Sequence, residues 1–148
     1  AWGTRPLRKT RAARMKYLLD TNTCIRHLNQ RSKAVTDHLH QLAETDVAVC
    51  SVVKAELYFG AMKSQSPQTT LPKQQAFVER FVSLAFDDAA ALIYGRIRAE
   101  LERAGTPIGP NDLLIASIAL ANGLILVTHN TQEFSRITGL QTEDWELR

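Results

Sequence analysis

The chain has 148 residues, of which 45% are hydrophobic and 22% charged, and this is the size and composition of one globular domain rather than a disordered chain. Its formal net charge of +3 suggests an anionic partner, but residues 1–14 hold five basic residues and no acid, so 13 basic and 15 acidic residues remain in 15–148. No apolar run approaches the roughly 18 residues of a transmembrane helix or forms a signal-peptide core, which predicts a cytoplasmic protein without membrane association.

The N-terminal segment differs from the rest of the sequence. Because Met15 resembles a natural start, we expect residues 1–14 to be a non-native or disordered basic extension, and 15–148 to form a single domain. Cys24 and Cys50 lie in apolar contexts and are predicted to be buried thiols in a reducing compartment. The four histidines lack the spacing of a zinc site.

The hydrophobic pattern predicts strands that alternate with helices. Ser51 and Asn111 are predicted as helix N-caps, Asp87 favours a helix start, and Gly105 and Gly123 follow helix ends. In chain order we predict a strand over 16–19, a helix beginning near 21–23, a helix over 33–43, a strand over 47–50, a helix over 52–63, a helix around 77–82, a weak strand over 84–86, a helix from 87 to beyond 101, a buried helix over 112–121, a strand over 124–127, and a tail with a short helix and an edge strand.

This alternation predicts the fold class. Parallel strands joined by right-handed helical crossovers give an α/β three-layer sandwich, in which helices cover both faces of a short parallel sheet.

Several polar residues are predicted to lie at one edge of that sheet, because ligands of open α/β sheets bind outside the carboxyl ends of the strands. They are Asp20, Glu56, Asp112, Thr128, His129, Asn130 and Glu133. Each acid also has an ordinary structural interpretation. Asp20 and Asp112 fit helix caps, and Glu56 and Glu133 fit solvated surface acids.

Taken together, the carboxylates indicate a metal site. Acids that converge without partners repel one another, and a hard divalent cation relieves that repulsion. Oxygen ligands without Cys or His favour Mg²⁺ or Mn²⁺ over Zn²⁺. Such an ion activates water and neutralises charge on a phosphate, so the pattern favours metal-assisted phosphodiester hydrolysis.

Four stretches, in the same order, resemble the PIN-domain nucleases, and more narrowly the VapC toxins of bacterial toxin–antitoxin pairs. They are LLDTNTCI (18–25), SVVKAELYFGA (51–61), PIGPNDLLIA (107–116) and LILVTHNTQEF (124–134). The resemblance extends over Met15 to Arg148 and includes the closing LQTEDW (140–145).

The resemblance implies a Mg²⁺-dependent endoribonuclease in which Asp20, Glu56 and Asp112 hold the metal and its attacking water. Thr21, Asn22 and Thr128 resemble the supporting residues. Many family members carry a fourth acid in a T-x-D sequence, where this chain has Asn130. Either Glu133 supplies the missing charge, or Asn130 orients a metal-bound water.

The resemblance further implies cleavage of initiator tRNA in the anticodon loop, a homodimer, and a cognate VapB-type antitoxin that covers the acidic groove. A haloacid-dehalogenase phosphatase would need an Asp where Asn22 stands, and a receiver domain would need paired acids after the first strand and a late Lys. A non-catalytic RNA-binding or protein-interaction domain on the same fold stays open because of Asn130.

Overall fold

The computed structural model describes residues 15–147, and there five strands form one parallel sheet flanked by seven α-helices. In chain order these are β1 (Tyr17–Leu19), α1 (Thr21–Leu28), α2 (Lys33–His40), β2 (Val47–Cys50), α3 (Ser51–Lys63), α4 (Pro67–Val78), β3 (Val82–Leu84), α5 (Asp88–Arg103), α6 (Pro110–Ala121), β4 (Ile125–Val127), α7 (Thr131–Phe134) and β5 (Thr142–Glu143). A 3-10 turn spans Glu44–Asp46. The predicted extension over 1–14 lies outside the described residues.

The register of the sheet aligns the carboxyl ends of its strands. The strand order is β3-β2-β1-β4-β5, with every neighbouring pair parallel. Leu19 pairs with Val127, and Val127 pairs with Glu143. Asp20, Thr128 and Asp144 are the next residues along three adjacent strands, so they begin the same edge of the sheet.

Helices cover both faces of this sheet. All four residues of β2 are at most 1% exposed, and successive side chains of a strand point to opposite faces. The predicted buried helix is α6, where Ile115, Ala116 and Ile118 are fully buried. The predicted three-layer sandwich is therefore confirmed. Both cysteines are buried free thiols, as expected, and no helix within residues 15–147 is long and apolar enough to cross a membrane.

The third strand was misplaced in the sequence prediction. It spans Val82–Leu84 rather than 84–86, and α4 ends at Val78 rather than near 82. Phe77 and Phe81 have helical spacing, but their rings meet edge-on at 5.1 Å across a turn, so Phe81 is buried without being helical. The helix predicted over 33–43 also ends early, at His40.

Two predicted helix caps were also wrong. Ser51 and Asn111 lie inside α3 and α6, where Cys50 and Gly109 hold the N-cap positions without a side-chain hydrogen bond. The N–H of Ala90 does donate to the Asp87 carboxylate, at 3.0 Å, as predicted at the start of α5.

Candidate active site at the carboxyl edge of the sheet

Asp20 lies between β1 and α1 and is 6% exposed. Its carboxylate accepts the backbone N–H of Thr23 at 2.8 Å, so it caps α1. Burial raises the pKa of Asp20 above its ordinary value, and hydrogen bonds from Thr128 and Thr23 oppose part of that rise. Besides capping α1, Asp20 also lines a groove at this edge of the sheet.

Glu56 lies on α3, and neighbouring helices hold both of its carboxylate oxygens. The Thr21 hydroxyl, from the start of α1, donates to Oε1. The Asn111 amide, from the first turn of α6, donates to Oε2 at 3.2 Å. The residue predicted to cap α6 therefore fixes an acid on another helix.

Asp112 is half-buried in the first turn of α6, and other carboxylates surround it. Its pKa is raised to about 6, first by burial and then by the charges of Glu133, Glu56 and Asp20. The other three predicted acids therefore lie within electrostatic range of Asp112.

Two polar residues that follow β4, Asn130 and Glu133, are hydrogen-bonded to each other. The Asn130 amide donates to Glu133 Oε2 at 3.0 Å, and the Asn130 backbone N–H donates to the Thr128 hydroxyl at 3.0 Å. Thr128 is fully buried, whereas Asn130 is exposed. The Asn at the position of the usual fourth acid is thus bonded to the acid three residues later.

A groove of about 350 Å³ opens beside Asp20. Its lining residues are Asp20, Asn22, Ile25, Arg26, His129, Asn130 and Glu146. Of the predicted supporting residues, Asn22 lines the groove. Thr21 hydrogen-bonds to Glu56, and Thr128 hydrogen-bonds to Asp20.

Sequence reasoning missed Asp144, Glu146 and Arg26 at this edge. Ligand atoms of Asp144, Glu146 and His129 lie within 4.8 Å of one another. Arg26 on α1 pairs with Glu146 at 3.0 Å. The signal that would have found the two acids is the end of the last strand, because the rule that places ligands at carboxyl ends applies to β5 as well.

The charges in this region divide into two groups. Asp144 and Glu146 are paired with basic or histidine side chains. Within residues 15–147, no Lys, Arg or His nitrogen lies within 4.0 Å of the carboxylates of Asp20, Glu56, Asp112 or Glu133. Carboxylates without a basic partner have the donor chemistry of a site for a hard divalent cation.

Known proteins match most of the length of the chain. The PIN domain matches residues 17–140. The chain is 45% identical over 131 residues to the tRNA(fMet)-specific endonuclease VapC of Shigella flexneri, which covers 88% of this chain and 98% of that protein. It is 40% identical over 133 residues to Ribonuclease VapC2 of Rickettsia felis, covering 89% and 99% respectively.

Solved structures are similar over the same region. The crystal structure of DNA-bound VapBC from Salmonella typhimurium superposes with a TM-score of 0.84 at 40% identity, covering 88% of this chain and 98% of that chain. VapBC-1 from nontypeable Haemophilus influenzae superposes with a TM-score of 0.80 at 37% identity, with the same coverage.

Proposed function

The chain belongs to the PIN-domain family, within its VapC group of ribonucleases, and from this premise we propose that it is a divalent-metal-dependent endoribonuclease acting on tRNA. The observation that carries the proposal is the crowding of carboxylates around Asp112, whose pKa rises to about 6. Acids that are crowded together without basic partners are typical of a cation-binding or catalytic site.

The chemistry of the donor atoms fits such a cation. Asp20 offers oxygen ligands from the junction of β1 and α1, Glu56 from within α3, and Asp112 from the first turn of α6. Mg²⁺ prefers carboxylate oxygens together with retained waters. We infer Mg²⁺, with Mn²⁺ as a substitute. Bound there, the ion would activate a water and neutralise the charge that develops on a phosphate.

The neighbouring residues hold these ligands in place. Thr21 and Asn111 each donate to one oxygen of Glu56, so its carboxylate cannot rotate freely. Thr128 and Thr23 hydrogen-bond to Asp20. Such outer contacts set the orientation and affinity of metal ligands.

Glu133 takes the place of the missing fourth acid in this proposal. Its charge contributes to the raised pKa of Asp112, while the Asn130 amide holds its carboxylate at 3.0 Å. Asn130 therefore positions the acid, and Glu133 supplies the charge.

The substrate is inferred from the relatives. Proteins named tRNA(fMet)-specific endonuclease VapC in Shigella flexneri and Salmonella typhimurium are 45% and 40% identical to this chain. We infer the same substrate class, initiator tRNA, cut in the anticodon loop. Since tRNA is a cytoplasmic molecule in bacteria, the proposed place of action is the cytoplasm.

The partners are inferred in the same way. Similar structures are of VapBC complexes, so we infer a cognate VapB-type antitoxin that covers the groove and inhibits cleavage. The resemblance also implies a homodimer.

Cleavage of tRNA by protein freed of antitoxin tests the proposal. With Mg²⁺ present we expect cutting that EDTA abolishes and that Asp20→Asn abolishes, because a ligand is lost while the helix cap is kept. Asp37→Asn is the matched control, since Asp37 is a surface acid of α2 that pairs with Lys33 at 3.5 Å.

Two results would contradict the proposal. Undiminished cutting by Asp20→Asn would refute the metal mechanism. Binding of RNA without cutting, with any divalent ion, would favour the non-catalytic binding domain instead.

A further inference from the structure

One residue that lines the groove, His129, lies against two carboxylates. His129 Nδ1 lies 2.9 Å from Asp144 Oδ2 and 3.7 Å from Glu146 Oε2. His129 lines the groove together with Asp20 and Asn130, so it shares this groove with one of the three proposed metal ligands, Asp20.

The two carboxylates are themselves fixed. Asp144 Oδ1 accepts the backbone N–H of Glu146 at 2.9 Å. Glu146 Oε1 accepts Arg26 Nε at 3.1 Å. Because Nδ1 of His129 is engaged by Asp144, Nε2 is the ring nitrogen left for a ligand, and within residues 15–147 it has no hydrogen-bond partner.

The exposure of the three side chains shows which one faces solvent. The His129 side chain is 60% exposed, whereas those of Asp144 and Glu146 are 9% and 14% exposed. Three of the four carboxylate oxygens of Asp144 and Glu146 have hydrogen-bond partners, which are the imidazole, the Glu146 N–H and Arg26. The arrangement presents an oriented imidazole to the groove.

We propose that His129 contacts the RNA backbone, with Nε2 donating a hydrogen bond to a phosphate oxygen near the cleaved bond while Asp144 and Glu146 orient the ring. An imidazolium carries an N–H on both ring nitrogens, so one nitrogen can donate to a carboxylate while the other donates to a phosphate. This inference rests on the proposed function, because the phosphate is that of the RNA substrate. It assigns a second basic contact to a groove in which Arg26 is paired with Glu146.

Binding of labelled bulk tRNA to the non-cleaving Asp20→Asn protein in Mg²⁺ tests the contact directly. Adding His129→Gln should weaken binding by about tenfold or more, as expected for a lost charge-assisted hydrogen bond. It should also lower the salt dependence of binding by roughly one phosphate contact. His40→Gln is the matched control, because His40 is an exposed histidine of α2 that does not line the groove.

Kinetics in the otherwise wild-type protein give a second readout. His129→Gln should raise KM for tRNA, with kcat changed much less. Asp144→Asn, which keeps the shape of the side chain but weakens its hold on the ring, should have a smaller effect in the same direction. A purely structural role would predict neither the rise in KM at nearly constant kcat nor the change in salt dependence.

Three outcomes would overturn the inference. One is an unchanged Kd in His129→Gln while wild-type protein cleaves tRNA, which leaves the proposed function intact. A second is a loss of melting temperature large enough to account for weaker binding. The third is calorimetric binding of Zn²⁺ that His129→Gln abolishes, because the cluster would then be a metal site. Failure of the wild-type protein to cleave tRNA would instead count against the proposed function, since binding is measured without cleavage.

Discussion

Asp112 is the residue at which the crowding of carboxylates is strongest. Its pKa in the fold is about 6, against an ordinary 3.8, so between these values the unfolded chain has lost a proton that the folded chain retains. The stability that this group contributes is complete below about pH 4. It is lost as the pH rises through 6.

Replacing Asp112 by Asn should therefore stabilise the metal-free protein at pH 7.5. Because the side chain is half exposed, solvent screening reduces the effect to roughly 1 kcal/mol, or about 3 °C in Tm for a chain of this size. Thermal unfolding in EDTA at pH 7.5 and 4.5 measures it, and the two proteins should converge at the lower pH. Glu100→Gln, an exposed change on α5, is the control. A lower Tm for Asp112→Asn at pH 7.5 would indicate a structural role instead.

Asp20 combines a structural role with the proposed chemical one, and two substitutions separate them. Asn can still accept the Thr23 N–H, whereas Ala cannot. We expect Asp20→Ala to be less stable than Asp20→Asn by about 1 kcal/mol, as measured by urea unfolding in EDTA. Both variants should lack cleavage. Retained activity in Asp20→Asn alone would mean that capping is the whole role of this residue.

At the scale of elements, the N-terminal turns of α1 and α6 converge on Glu56 of α3. Thr21 and Asn111 supply one hydrogen bond each. Since the carboxylate is held from two sides, its orientation depends on how three helices pack. The orientation of Glu56 is therefore fixed by contacts between helices, and not only by its own helix α3.

Removing one of these bonds should weaken metal binding more than catalysis. Thr21→Val removes the hydroxyl with little change in volume, and the Mg²⁺ concentration for half-maximal cleavage should rise by roughly tenfold. The rate at saturating Mg²⁺ should stay close to that of wild type. Thr69→Val on α4 is the control, because within residues 15–147 the Thr69 hydroxyl bonds only to the Ser66 carbonyl. An unchanged Mg²⁺ requirement would show that Glu56 needs no support from Thr21.

Sequence periodicity predicted the alternation of strands and helices because all residues of β2 are apolar and buried and most residues of α6 are apolar. It misplaced β3 because Phe77, Val78 and Phe81 continue a helical spacing past the end of α4. The predicted cap role of Asn111 failed because its partner, Glu56, lies 55 residues away. Such long-range partners leave no local pattern, and the pairing of His129 with Asp144 was missed for the same reason.

For the whole molecule, net charge is a poor guide to the groove. The pI of about 9.1 reflects five basic residues in 1–14, and the rest of the chain carries an excess of two acids. All four proposed site acids belong to the acidic edge around Asp112. Recognition of RNA there depends on local contacts such as the one proposed for His129, rather than on the field of the whole chain.

Deleting residues 2–14 should therefore leave function intact. Counterion release by a basic arm adds sequence-independent affinity that salt screens, so at physiological ionic strength we expect tRNA cleavage within about twofold of wild type. A second variant, with the five basic residues of 1–14 replaced by Gln, separates the effect of charge from that of length. Cleavage rates and Kd for tRNA at two salt concentrations measure both. A loss of binding shared by the two variants would mean that the basic segment, and not the groove alone, holds the RNA.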